Sequence, residues 1–348
     1  MKRKGNFFRH LHPPFIRRRT LHPQTTLGLG VVCLTCVLIL GVTGATMLLY
    51  YIPEERTAYE RILHITTTLR FGRLWRNLHY LAANVLMIAG WLHLARVYFT
   101  GSYEKRRLNW IYGLLLLLLI MLSNYTGYLL PWDQTSYWAI KVGSNLAGYW
   151  PVVGPSLKNF LLGGEDISQE TLIRSFALHV AVLPLLWIIF ISLHLWRIRQ
   201  DGGLAAPATD SSLKLASFPW LLRAELAVGL LTISLLLIFS LLIEAPLSTR
   251  ADPFHPPNPA KAPWYFVGIQ EMVSYSATWG GVIVPSLIGL FLLLTPFIDP
   301  TKGKGGTWLA KERWLFNFLF TLIMLSQISL IIIGQWLRTK NWMLKIPW

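Results

Sequence analysis

Long stretches without a single charged residue alternate along the chain with short basic segments. Long uncharged runs include Leu27 to Pro53, Leu108 to Trp132, Leu226 to Ile243 and Trp314 to Leu337. Each meets the roughly 17–25 apolar residues that a helix needs to cross a hydrocarbon core. Extended to segments that carry a few polar positions, the pattern predicts seven transmembrane helices at 27–50, 77–100, 108–130, 175–197, 221–243, 281–298 and 314–337. The connection 131–174 is too rich in Trp, Tyr and aliphatic residues for a free loop, and it predicts amphipathic surface helices at 136–147 and 155–162. Pro246, Pro253, Pro256, Pro257, Pro259 and Pro263 make the connection between the fifth and sixth spans mostly extended. The expected architecture is an all-α membrane protein. A basic arm (1–26) leads into a four-helix bundle (27–200), and a Gly, Ala, Ser and Thr-rich linker (201–217) joins it to a three-helix part (218–348).

Composition supports the membrane assignment: 53% of residues are hydrophobic, 14% are charged, and mean hydropathy is +0.46. A soluble enzyme is excluded on these figures. The net charge of +16 does not point to nucleic acid, because the basic residues fall between spans and form no stripe interleaved with aromatics. With the N-terminus in the cytoplasm, 19 of the 32 Lys and Arg residues lie on the inner side, the orientation that the positive-inside bias favours. Cys33 and Cys36 lie within the first span, outside any metal-binding pattern, and read as buried thiols.

Four of the nine histidines fall inside spans: His79 and His93 in the second, His179 and His194 in the fourth. Ionisable groups at that depth are costly and mark function. The 14-residue spacing of His79 and His93 returns a helix to within about 40° of the same face, about 21 Å further along its axis. His179 and His194 are 15 apart, which rotates the second by about 60° the other way, and Pro184 between them supplies a distortion to absorb the difference. Two helices with two histidines at matching heights make two bis-imidazole sites, the axial ligation of two haems stacked across one bilayer. Gly30 and Gly44 in the first span and Gly113 and Gly127 in the third repeat the 14-residue pitch, leaving room for close approach. Arg76, Arg96 and Arg174, near span ends, are placed either to pair with haem propionates or to extend toward the lipid headgroups.

These residues sit in longer motifs: FGRLWRNLH opening the second span, HLARVY closing it, TGYLLPWDQTSYWA after the third, SFALHVAVLPL in the fourth and APWYF before the sixth. In them the chain resembles the cytochrome b/b6 family, the membrane core of quinol oxidoreductases. The resemblance covers about residues 27–337 and looks like b6 fused to its three-helix partner subunit. It implies two haem b groups, with His79 and His179 ligating the outer one and His93 and His194 the inner one. It also implies quinone as substrate and a Rieske iron-sulfur protein and a c-type cytochrome as partners. A homodimer within a larger complex in the bacterial cytoplasmic (inner) membrane is the implied setting. By resemblance the outer quinol site involves Gly143 on the surface helix after PWDQ, with Trp264 and Tyr265.

Three departures from the family pattern stand out. The Pro-Glu-Trp-Tyr motif reads Ala262, Pro263, Trp264, Tyr265 here, so the usual proton-accepting glutamate is a proline. Glu271 is the nearest substitute acid, and a helix-start carboxylate is its alternative role. The cysteine that ties down an extra haem in the b6 branch aligns with Gly28, so no covalent haem is expected. No Asp or Glu precedes Glu54, which leaves His22 or His12, with Arg199, either to hold an inner quinone or to serve as surface charge. The leading expectation is the dihaem cytochrome b subunit of a Rieske/cytochrome b complex. The alternative is a non-bifurcating b-type anchor that exchanges electrons between the quinone pool and a multihaem cytochrome or dehydrogenase.

Overall fold

The structure, a computed structural model, describes residues 12–205, 210–300 and 303–345. Residues 1–11 of the expected arm and 206–209 of the expected linker lie outside the described residues. Among those described, seven helices are long and apolar enough to cross a membrane. They are α1 (Leu29–Leu48), α3 (Gly72–Phe99), α4 (Arg107–Leu129), α7 (Gln169–Gln200), α8 (Ser217–Leu242), α10 (Trp279–Ile298) and α11 (Lys311–Leu337). The second and fourth spans begin five and six residues before their expected starts, because each helix continues past its apolar run into turns that carry Arg73 and Arg76 or Glu170 and Arg174.

The outer end is capped by short helices: α2 (Ala58–Thr67), α5 (Gln134–Gly148) and α6 (Gly154–Leu162). The last two are the expected surface helices. The first was not anticipated, although Ala58, Ile62 and Ile65 form an i, i+4, i+7 stripe that is buried. These helices pack on Tyr51, Leu129, Trp132 and Leu172 in an apolar cluster of their own. Asp133, in the PWDQ motif, caps α5: one carboxylate oxygen accepts from Ser136 N at 2.8 Å and the other from Ser248 N at 2.7 Å, which fastens the surface helix to the long connection.

That connection is irregular from Ile243 to Pro263, as the prolines require, but a helix, α9 (Trp264–Tyr275), follows it. The expectation of a mostly extended segment is corrected there: Pro263 stands just before the first helical residue, where its missing N–H costs nothing. The expected linker also contains structure. Strand β2 (Lys214–Ala216) pairs antiparallel with β1 (Phe15–Arg17) of the arm.

The 15-residue histidine spacing is absorbed within α7. Leu178–Val182 form one π-helical turn, immediately before Pro184. Such a turn accommodates one extra residue without the full rotation, so His179 and His194 face α3 together.

A central core joins the two halves. Cys36, Leu86, Tyr98 and Trp110 of the front bundle pack with Leu236 of α8, Leu292 of α10 and Phe320 of α11. At the end of this core the Arg313 and Asp299 side chains are 2% and 5% exposed and form an ion pair of 2.7 Å. Arg313 also donates to Tyr98 O at 3.0 Å and to the Tyr103 hydroxyl, and Tyr103 donates to Asp299 at 2.6 Å. Gly101, at φ +59°, leaves only 2.9 Å between the place of a Cβ and the Arg313 guanidinium, so no larger residue fits. Replacing Arg313 with Met should leave Asp299 buried and uncompensated, at a cost of about 3–5 kcal/mol. Thermal melting in detergent should show a large loss for R313M and a much smaller one for R313M/D299L. Equal losses would contradict the latch.

Candidate functional site

In the front bundle His79 faces His179 with ring centres 6.3 Å apart, and His93 faces His194 at 6.5 Å. Metal–imidazole bonds of about 2 Å place two rings that share one iron roughly 6 Å apart, so both pairs have the spacing of axial ligands. Among the described residues no group of three or more His, Cys, Asp or Glu converges. Paired donors are what a haem requires, whereas a structural zinc site takes four.

Each of the four glycines meets one imidazole. A Cβ at Gly30 would lie 3.5 Å from His93 Cε1, at Gly44 3.4 Å from His79 Cε1, and at Gly113 3.7 Å from His194 Cε1. At Gly127 it would lie 2.5 Å from His179 Cε1. A cavity of about 170 Å³ is lined by His93, His194, Gly30, Gly113, Cys33 and Arg96. These donors and clearances fit a porphyrin between α1, α3, α4 and α7.

Two residues that sequence reasoning missed complete the outer pair. Thr43 Oγ1 lies 2.9 Å from His79 Nδ1, and Thr126 Oγ1 lies 3.2 Å from His179 Nδ1. Their signal was their place immediately before Gly44 and Gly127.

The three arginines engage backbone carbonyls. Arg76 donates to Ala245 O at 2.9 Å and to Pro246 O. Arg96 donates to Thr25 O at 2.9 and 2.7 Å, and Arg174 to Phe160 O at 2.7 Å. The first two are buried, and they pin the connection after α8 and the N-terminal arm against α3.

On the outer side Gly143 of α5 allows Tyr125 to approach: a Cβ there would be 2.4 Å from the Tyr125 hydroxyl. The Tyr125 ring meets Phe266 edge-on at 6.1 Å, and Phe266 in turn meets Tyr265 edge-on at 4.9 Å. Trp264 donates to Asn84 Oδ1 at 2.7 Å, fixing the start of α9 on the middle of α3. Gln270 clamps the turn before it, accepting from Ala262 N and donating to Ala260 O, both at 2.7 Å. Burial holds the Tyr265 phenol above its usual range, so it stays a hydrogen-bond donor at neutral pH.

Glu271 is expected either to accept the quinol proton or to stabilise a helix start, and the structure shows what surrounds it. It lies within α9, not at a helix start, and is fully buried. Arg338 donates to it from Nη2 at 2.5 Å and from Nε at 3.1 Å to both oxygens. Tyr275 donates at 2.8 Å and Trp342 at 3.0 Å. Burial raises the carboxyl, but the hydrogen bonds from Arg338 and Tyr275 outweigh it and hold the group below the usual carboxylate range. A carboxylate so held is a poor proton acceptor, and it binds α9 to the segment after α11.

On the inner side His22 is exposed and Arg199 half-buried on the last turn of α7. Gly28 is at φ +62°, and a Cβ there would lie 3.0 and 3.1 Å from the Val228 methyls. In the arm, Arg17 lies 3.9 Å from Asp210, and His12 Nε2 is 3.3 Å from Glu225 Oε2 on α8. Sequence reasoning missed Glu225, although an acid inside an expected span was its signal.

Comparison with known proteins agrees with this geometry. Residues 20–202 match the family Cytochrome b/b6/petB, and residues 250–346 match Cytochrome b(C-terminal)/b6/petD. The chain belongs to the cytochrome b/b6 family. It is 43% identical over 185 residues to cytochrome b6 of Heliobacterium mobile, covering 52% of this chain and 87% of that protein. Over 182 residues it is 41% identical to cytochrome b6 of Synechococcus sp. (strain JA-3-3Ab), covering 52% and 85%. A chain of the solved structure described as a hyperthermophilic respiratory Complex III aligns with TM-score 0.78 at 26% identity, covering 89% of this chain and 83% of that one. The cytochrome b is thus the membrane subunit of a quinol oxidoreductase, of a family that binds two haem b groups between paired histidines.

Replacing His93 with Ala should remove the inner haem and leave the outer one, because the two pairs are separated by about 21 Å of helix. Pyridine haemochrome quantitation should fall from two haems per chain to one. Retention of both would contradict the pairing.

Proposed function

We propose that this chain carries electrons across the membrane between an outer and an inner haem b, the outer held by His79 and His179 and the inner by His93 and His194. The carrying observation is the pairing of four buried imidazoles at two heights, each against a glycine. When bound, the haems supply one-electron carriers that cycle between ferric and ferrous iron. The protein contributes placement: it orients each imidazole, keeps glycine where a side chain would intrude, and surrounds both sites with apolar helix faces.

Quinol oxidation at the outer face gives up two electrons and two protons. The pocket we assign to it lies around Gly143, Tyr125, Tyr265 and Phe266, with Trp264 fixing the helix that carries it. One electron would pass to a Rieske iron-sulfur protein and on to a c-type cytochrome, and the other would be taken by the haem that His79 and His179 would hold. Inner quinone exchange belongs near His12, Glu225, His22 and Arg199, with Arg76, Arg96 and Arg174 securing the segments that border the haem sites. Residues 201–217 join the two parts of the chain, and the N-terminus faces the cytoplasm of a bacterial cell. A homodimer is the expected assembly.

Pro263 at the family's glutamate position, together with the ion-paired Glu271, supports a second reading, the non-bifurcating anchor, because neither residue is suited to take the first quinol proton. Purification of the native complex with subunit identification separates the two. A Rieske cluster in stoichiometric amount is expected, with quinol-driven reduction of both the cluster and a b haem. A stable, active complex lacking that cluster would establish the anchor instead. Replacing Tyr265 with Phe should slow quinol oxidation several-fold at unchanged haem content, measured as steady-state cytochrome c reduction. An unaltered rate would remove Tyr265 from the site.

A further inference from the structure

The two imidazole pairs differ in what their outward-facing nitrogens meet. Thr43 Oγ1 donates its one proton to Ile39 O at 2.7 Å, so toward His79 Nδ1, 2.9 Å away, it acts as acceptor. Thr126 likewise donates to Leu122 O at 2.9 Å and accepts from His179 Nδ1 at 3.2 Å. A hydroxyl has one proton to give and two lone pairs to offer, which assigns the Nδ1 hydrogen to both imidazoles and leaves Nε2 free as the ligand. The inner pair has no hydroxyl partner: His93 Nδ1 is buried without a hydrogen bond, and His194 has only the Asn109 backbone in that role. The sequence explains the difference, since the residues before Gly44 and Gly127 are threonines, whereas Leu29 and Tyr112 precede Gly30 and Gly113.

We propose that Thr43 and Thr126 are positioning residues that lower the reduction potential of the outer haem relative to the inner one. A hydrogen bond accepted from Nδ1–H makes the imidazole a more basic ligand. A more basic axial ligand favours ferric over ferrous iron, and no proton moves in the step: the iron gains one electron and the imidazole keeps its Nδ1 hydrogen. Two threonine hydroxyls act on the outer pair of imidazoles and none on the inner pair, so a haem held by the outer pair would have the lower potential of the two. The threonine hydroxyls meet their own helix carbonyls and the histidines, so they act through the histidine.

This rests on the ligand assignment above, and the experiment keeps the two apart. The intact complex is titrated optically with T43V, T126V and T43S alongside the wild type. Valine keeps the shape and removes the hydroxyl, and serine restores it. Each valine variant should shift the lower-potential b component upward, by up to about tenfold in its reduction equilibrium, or 59 mV for one electron. The higher-potential component should stay in place and T43S should match the wild type. Because T43V and T126V sit on different helices, failure of one to assemble leaves the other as the test. Two b components that remain in place in the valine variants, or a shift confined to the higher-potential one, would overturn the proposal alone. A wild-type chain without two b components would remove the ligand assignment and the proposal with it.

Discussion

Fourteen residues of α-helix nearly complete four turns, and this recurrence governs the front half of the molecule. On α3 it stacks His79 and His93 on one face, and on α1 and α4 it stacks the glycines that stand against the imidazoles. The fourth helix carries one residue more and stays in register because a π-helical turn at Leu178–Val182 takes up the excess. A Cβ on any of these glycines would sit against an imidazole ring, most severely at Gly127. The surface helices, the core that runs into α8, α10 and α11, and the buried Arg313–Asp299 pair all serve to keep these four helices at fixed distance.

Much of this was legible before any coordinates, because burial in a bilayer leaves strong signals. Uncharged runs mark spans, and a histidine inside one is costly enough to need a reason. What escaped was short and local. Helix α2 is only ten residues long, and its buried stripe was lost between two stronger hydrophobic runs. Helix α9 was hidden behind a dense group of prolines, which end an extended segment but also open a helix. The ion pair of Glu271 escaped for a different reason: its partner, Arg338, is 67 residues away, and no local pattern announces a long-range ion pair. Thr43 and Thr126 looked like ordinary helix residues, because a hydroxyl that bonds to its own helix backbone is common. Its second contact, to an imidazole, depends on how neighbouring helices meet.

The outer site combines a conserved-looking framework with altered chemistry. Trp264 and Tyr265 stand as the family motif has them, Gln270 clamps the turn that presents them, and Gly143 admits Tyr125. The acid, however, is missing: Pro263 begins the helix, and the nearest carboxylate along it is already saturated by Arg338, Tyr275 and Trp342. The helix that carries Trp264 and Tyr265 is tied at both ends, by Asn84 through Trp264 and by Arg338 through Glu271. On the inner face the arm and α8 supply a His–Glu pair in a chain whose first acid comes late.

The account stands or falls on two haem b groups held by these four histidines. Optical redox titration of the purified wild-type complex, with haem counted per chain on the same sample, tests this most directly. It predicts two b-type components of different potential at two haems per chain. A single component at one haem per chain, or no b-type spectrum, would contradict it.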